Sequence, residues 1–156
     1  MSQEEAKLKI SELIQKYEKV KESGEISRFS EEDTKTNFII PLFGALGWNM
    51  HDRDEVTAEE QISGQRVDYG FYHEGHIKFY LEAKPLKAEL HQEKFAQQAI
   101  RYSWNKGVTW AILTDFESLI VFNALSPEKA LHGKKYFEIP YTEYLGRFDQ
   151  LWLLSK

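Results

Sequence analysis

Apolar residues recur at helical spacing over the first part of the chain. Ala6, Ile10, Leu13, Ile14, Tyr17 and Val20 fall on one stripe that ends near Gly24. A second helix is predicted from Ser30, because Ser30 and Asp33 form an S-x-x-D capping pattern. It runs to Gly47 with Phe38, Ile39, Leu42, Phe43 and Leu46 inward. Pro41 lies inside it and removes one backbone hydrogen bond, so a bend is expected there. Between Val56 and Lys84 the pattern shortens to strand-like runs, broken by Ser63-Gly64 and Glu74-Gly75. Helical spacing returns from Glu89 to Asn105 through Leu90, Lys94, Ala96, Ile100 and Trp104, with Gly107 as the stop. "WAILTD" and "SLIVFN" read as buried strands around a turn at Asp115–Ser118, and "YFEIPY" as extended. Tyr144, Leu145, Phe148, Leu151 and Trp152 suggest a last helix. The order α-α-β-β-β-α-β-β-α predicts an α/β domain: a mixed central sheet flanked by helices.

Composition narrows the function classes. At 156 residues the chain suits one domain, and an apolar share of 42% supports a real core rather than disorder. It has no cysteine, which excludes a disulfide framework and any thiolate metal site. The start, Met-Ser-Gln-Glu-Glu, lacks the basic and apolar regions of a secretory signal. The uncharged stretch from Phe38 to Met50 is too short for a bilayer and is interrupted by Pro41 and two glycines. A cytoplasmic protein without a membrane partner is expected. The formal net charge of −5 counts against nucleic acid as a ligand, since polyanion binders ordinarily carry a basic excess.

The stretch "VDYGFYHEGHIKFYLEAKP" runs against that charge argument. Asp68, Glu82 and Lys84 are embedded among Val, Tyr, Phe, Ile and Leu, and strand alternation puts Glu82 and Lys84 on one face. If Glu74-Gly75-His76 forms a three-residue hairpin loop, His73 faces Ile77 and Asp68 faces Glu82; a two-residue loop would set Asp68 opposite Leu81. Two facing carboxylates repel unless a positive charge lies between them. A hard divalent cation supplies one, and the carbonyl of Ala83 can add a ligand. Such an ion polarises a phosphoryl oxygen while Lys84 orients water or stabilises developing charge, the chemistry of phosphodiester hydrolysis. The same residues also suit an exposed hairpin face with a cross-strand Lys–Glu pair, and short D…E-x-K matches arise by chance. His73 and His76 flank a tight turn without a third ligand, and His51 lies in a loop. No phosphate-binding G-x-x-x-x-G-K-[ST] motif and no nucleophile elbow is present.

Four stretches in order decide between these readings. "VDYGFY…FYLEAKP" resembles the active-site hairpin of the PD-(D/E)xK restriction-endonuclease-like nucleases. It is most similar to the N-terminal nuclease domains of type I restriction motor subunits and related fused restriction–modification enzymes. "SEEDTKTNFIIPLFGALGW" is similar to that family's opening helix, "QAIRY" to its Q-x-x-x-Y signature, and "WAILTDFESLIVFN" to the strand pair that follows. Val67 stands where the family's proline commonly lies, and the acid after it is kept.

The resemblance implies the restriction-endonuclease-like fold over a single domain: a helical segment 1–29, a nuclease core of about 30–125 and an extension 126–156. It implies that Asp68 and Glu82 bind Mg²⁺, with Mn²⁺ as a possible substitute, and that Lys84 is catalytic. Gln98 and Tyr102, four apart on one helix face, are expected to look at the site. Glu31 matches the family's first-helix acid, with Glu32 as substitute, although Glu31, Glu32 and Asp33 also simply favour a helix N-terminus. Double-stranded DNA is the implied substrate. The chain's stop at "LWLLSK" suggests a piece of a larger polypeptide, whose methyltransferase, specificity or motor parts would supply DNA recognition. The competing reading is a non-catalytic module of the same fold, kept for DNA docking or assembly. A nuclease for RNA or branched junctions finds no aromatic-basic platform here.

Overall fold

The computed structural model describes residues 2–62 and 64–156; Ser63 of the expected Ser63-Gly64 turn lies outside them. The first helix, α1 (Gln3–Glu22), is capped by Ser2 and Glu5 in a reciprocal box and buries Ala6, Ile10, Leu13 and Tyr17. Ser30 and Asp33 form the predicted box at α2 (Glu31–Thr34). The long second helix is not regular, however. It widens into a π turn over Lys35–Ile39 before continuing as α3 (Ile40–Ala45). Pro41 has no N–H to offer the carbonyl of Asn37, four residues back. Lys16 on α1 donates to that carbonyl instead, at 3.1 Å.

The sheet has six strands in sequence order: β1 (Val56–Ile62), β2 (Gln65–His73), β3 (His76–Ala83), β4 (Trp110–Thr114), β5 (Ser118–Asn123) and β6 (Lys135–Pro140). Only β3 and β4 run parallel, joined through α4 (Glu93–Lys106), which Gly107 ends at φ 71°. The sheet is mixed and flanked by helices on both faces, as the pattern predicts. On one face Phe38, Ile39, Leu42 and Phe43 from the second helix and the stripe of α1 pack on Phe71, Leu81, Ile112 and Leu119. On the other, Ala96, Ala99 and Ile100 of α4 cover Ala111, Leu113, Ile120 and Phe122. Burial on both faces is why β4 and β5 read as continuous apolar runs rather than alternating ones.

Three expectations are corrected. α4 starts at Glu93 rather than Glu89, and Trp104 points outward, 58% exposed. The extended "YFEIPY" is a full sixth strand on β5, preceded by a single helical turn, α5 (Leu131–Lys134). The last helix, α6 (Phe148–Trp152), is shorter than expected, with Tyr141–Glu143 forming a 3₁₀ turn before it. No helix among the described residues is long and apolar enough to cross a membrane.

Candidate active site

The β2–β3 hairpin turns on two residues, Glu74 and Gly75, with φ of 52° and 80°, the left-handed pair of a tight type I′ turn. His73 therefore pairs with His76, and the expected three-residue loop is not formed. A bulge restores the balance. Tyr72 pairs with Ile77 but Phe71 with Phe79, so one extra residue enters β3 at Lys78. Beyond it Tyr69 pairs with Leu81, and the next step of that ladder sets Asp68 against Glu82. The predicted opposition of the two acids is present, produced by a shorter turn and a bulge that cancel.

Both acids are buried, Asp68 to 1% exposure and Glu82 to 4%. Asp68 Oδ2 accepts the Ala83 N–H at 2.8 Å, locking the carboxylate across the hairpin. Its Oδ1 accepts from Lys35 Nζ at 2.8 Å, a buried ion pair that sequence reading missed. Lys35 lies at the start of the π turn and is itself 6% exposed. Its ammonium is also 3.4 Å from Glu31 Oε2. Glu31 thus reaches the edge of the site, while Glu32 is exposed. Removing one member of such a buried pair typically costs about 3–5 kcal/mol, because the other is left uncompensated.

From the opposite face α4 contributes Gln98, whose Nε2 donates to Glu82 Oε2 at 3.0 Å. Gln98 Oε1 stands 3.5 Å from Lys84 Nζ, and that ammonium lies over the Phe95 ring, 4.4 Å from its centroid. Tyr102, one turn further along α4, is placed elsewhere. It is buried edge-to-face on Tyr80 at 4.9 Å, and its hydroxyl has no hydrogen-bond partner among the described residues. Tyr80 belongs to a second, half-buried network: Thr57, Tyr72 and Tyr80 all donate to the Glu60 carboxylate, which also lies 3.5 Å from Lys106. Glu60 Oε2 presses so closely on Gly70 that a Cβ there would meet it at 2.7 Å, which is why a glycine interrupts β2.

Protonation follows from this geometry. Burial pushes Glu82 up to about 9, and the hydrogen bond and charge of Asp68 add to the effect. Burial opposes ionisation of Asp68 as well. There the Glu82 hydrogen bond, Lys35 and the Ala83 N–H outweigh it and hold Asp68 below the ordinary carboxylate range. Glu82 thus keeps its proton while facing an ionised Asp68, whose charge Lys35 balances. Among the described residues no group of three carboxylates or histidines is ready to hold a metal. The Asp68 and Glu82 oxygens nonetheless fit a hard divalent cation, which prefers one or two carboxylates and completes its shell with water.

Comparisons with known proteins agree with the fold. No family model matches the chain. The type II restriction enzyme and methyltransferase RM.Eco57I of Escherichia coli is 25% identical over 91% of this chain, which spans only 16% of that protein. The crystal structure of the type IIG restriction endonuclease BpuSI superposes at a TM-score of 0.50, with 18% identity over 64% of this chain and 14% of the other. A fragment described as an HsdR subunit of a type I restriction enzyme from Vibrio vulnificus YJ016 superposes at 0.53, with 21% identity over 77% of this chain and 25% of the other. The mixed sheet between helical layers is a restriction-endonuclease-like fold, similar to that of restriction enzymes of two types.

Proposed function

We propose that the chain is the Mg²⁺-dependent DNA endonuclease domain of a restriction–modification system, with Mn²⁺ able to substitute. The observation that carries this reading is the convergence of Asp68, Glu82, Gln98 and Lys84 at one end of the β2–β3 hairpin, with Gln98 joined to Glu82 and standing beside Lys84. Asp68 and Glu82 would hold the ion, with the Ala83 carbonyl as a further ligand, while the Ala83 N–H fixes Asp68 and Glu31 stands at the edge. Such an ion would supply Lewis-acid polarisation of the phosphoryl oxygen. Lys84, the least buried charge of the group, orients the attacking water and stabilises charge developing on phosphorus oxygens. Water adds to phosphorus, one P–O ester bond breaks, and the leaving oxygen takes a proton. Gln98 holds Glu82 and Lys84 at a fixed separation.

Recognition of double-stranded DNA is assigned to other parts of a larger cytoplasmic enzyme. This chain carries 20 Lys and Arg against 25 Asp and Glu, so it gains little from displacing counterions on DNA. Methyltransferase, specificity or motor parts would raise the local DNA concentration at the nuclease site. The chain spans 14–25% of the restriction proteins it resembles, which leaves room for them. A docking module of the same fold is the second reading; a retained Asp68, Glu82, Lys84 and Gln98 set disfavours it. The test is plasmid nicking with Mg²⁺ by wild type and Asp68→Asn, in this chain and in the longer enzyme. Slow or undetectable nicking and weak duplex binding are expected of the isolated chain. Robust, Asp68-dependent cleavage is expected of the longer enzyme, and its absence there would favour the docking module.

A further inference from the structure

Lys35 has no part in the hydrolytic reading, yet it makes the most enclosed charge contact in the site. Its ammonium engages Asp68 Oδ1 at 2.8 Å, while the other Asp68 oxygen is held by the Ala83 N–H at 2.8 Å. Both oxygens of the central carboxylate are therefore engaged before any metal arrives. The Lys35 side chain is 7% exposed, and its ammonium lies 5.8 Å from the Tyr69 ring centroid. Little water screens this charge. It also opens a π turn, a local widening that recurs at functional sites in helices. Glu31, one turn back and 3.4 Å away, is 36% exposed and offers the ammonium a second partner at the edge of the site.

We propose that Lys35 is a resident counter-ion that a divalent cation must displace from Asp68, so that Lys35 sets the metal affinity of the site. Without metal it keeps the acidic cluster ordered. When metal enters, the flexible lysine stem lets the ammonium move toward Glu31. The proposal rests on the metal-dependent reading above and deepens it: Lys35 acts through Asp68 and is a positioning residue. A positive charge at this distance in a poorly screened site opposes a second cation strongly. Its removal should tighten binding by about tenfold or more.

The experiment is calorimetric titration of Mn²⁺ into the 156-residue chain, with thermal melts in parallel, for wild type, Lys35→Met, Lys35→Arg and Asp68→Asn. Lys35→Met, which keeps the stem and removes the charge, should bind Mn²⁺ at least about tenfold more tightly and gain a larger melting shift. Lys35→Arg should stay near wild type, and Asp68→Asn should lose binding. Unchanged or weaker Mn²⁺ affinity in Lys35→Met would show a merely structural lysine and overturn the proposal. So would absence of binding in both wild type and Lys35→Met. If Lys35→Met is unfolded without metal, Mn²⁺ should restore its fold, and failure to do so counts against the idea equally. The nuclease reading stands or falls separately, on Mg²⁺-dependent nicking by the wild-type enzyme.

Discussion

Gln98 reaches Glu82 from the opposite layer of the fold, donating to its Oε2 at 3.0 Å, and the same amide's oxygen stands 3.5 Å from Lys84 Nζ. A single side chain on α4 therefore spaces Glu82 and Lys84, the acid proposed to face the metal and the lysine proposed to act on water. Gln98→Ala should leave the fold intact, since the side chain is largely exposed. Cleavage by the longer enzyme should fall by about 10–100-fold, the usual cost of losing a group that orients the primary residues. Unchanged steady-state rates in Gln98→Ala would remove this residue from the site.

Lys84 and Glu82 should separate chemistry from metal binding. Lys84→Ala is expected to lower cleavage by about two to three orders of magnitude while Mn²⁺ titrations stay near wild type. Glu82→Ala should lose both. The pair of measurements matters more than either alone. Undiminished cutting by Lys84→Ala would mean that this hairpin is not the active site.

Much of this site was legible in the sequence because its acids break a strand pattern. Asp68 and Glu82 are visible as charges in runs that otherwise bury apolar groups, and the capping pair Ser30 and Asp33 was confirmed in detail. Lys35 was not legible. A lysine in "EEDTKTNF" reads as a solvated helix residue, and nothing in its neighbours announces a π turn that buries it against a strand 33 positions away. The hairpin register was anticipated through a turn that the chain does not make. Pattern fixes which residues face each other only when bulges are known, and the Lys78 bulge has no local signal. Trp104 fits the helical stripe by spacing but is 58% exposed, because the buried side of α4 runs through Ala96, Ala99, Ile100 and Ser103 instead.

Tyr102 tests how far the Q-x-x-x-Y pattern carries function in this chain. Its ring is packed on Tyr80, and its hydroxyl is enclosed without a partner. An unsatisfied buried hydroxyl is a cost rather than a contribution. Tyr102→Phe should therefore melt at the same temperature or slightly higher, with stability changed by no more than about 1 kcal/mol in its favour, and should keep its cleavage rate. Tyr102→Ala should instead destabilise by about 3–5 kcal/mol through the cavity it leaves. A Tyr102→Phe enzyme that folds normally and cuts slowly would restore a chemical role to the hydroxyl.

The raised Glu82 makes a pH prediction with a definite sign. In the metal-free fold Glu82 keeps its proton up to about 9, facing Asp68, Lys84 and Glu31, whereas in the unfolded chain it releases it in the ordinary glutamate range. Between those limits the folded state binds more protons, so stability falls as pH rises and levels off above about 9. Asp115 works in the same direction, because burial pushes it up to about 7, so its contribution is still fading just above neutral pH. Across the interval from about 7 to about 9 the difference between wild type and Glu82→Gln isolates Glu82. Melting temperatures taken across it in chelator should decline more steeply for wild type than for Glu82→Gln. Adding Mn²⁺ should flatten the wild-type curve, since an ionised Glu82 is what the cation needs, and uptake should release close to one proton. Calorimetry in two buffers of different protonation enthalpy reads that proton directly. A wild-type melting curve level from pH 7 to 9 without metal would show that Glu82 is already ionised in the fold, and the case for a cation between the two carboxyls would lose its electrostatic basis.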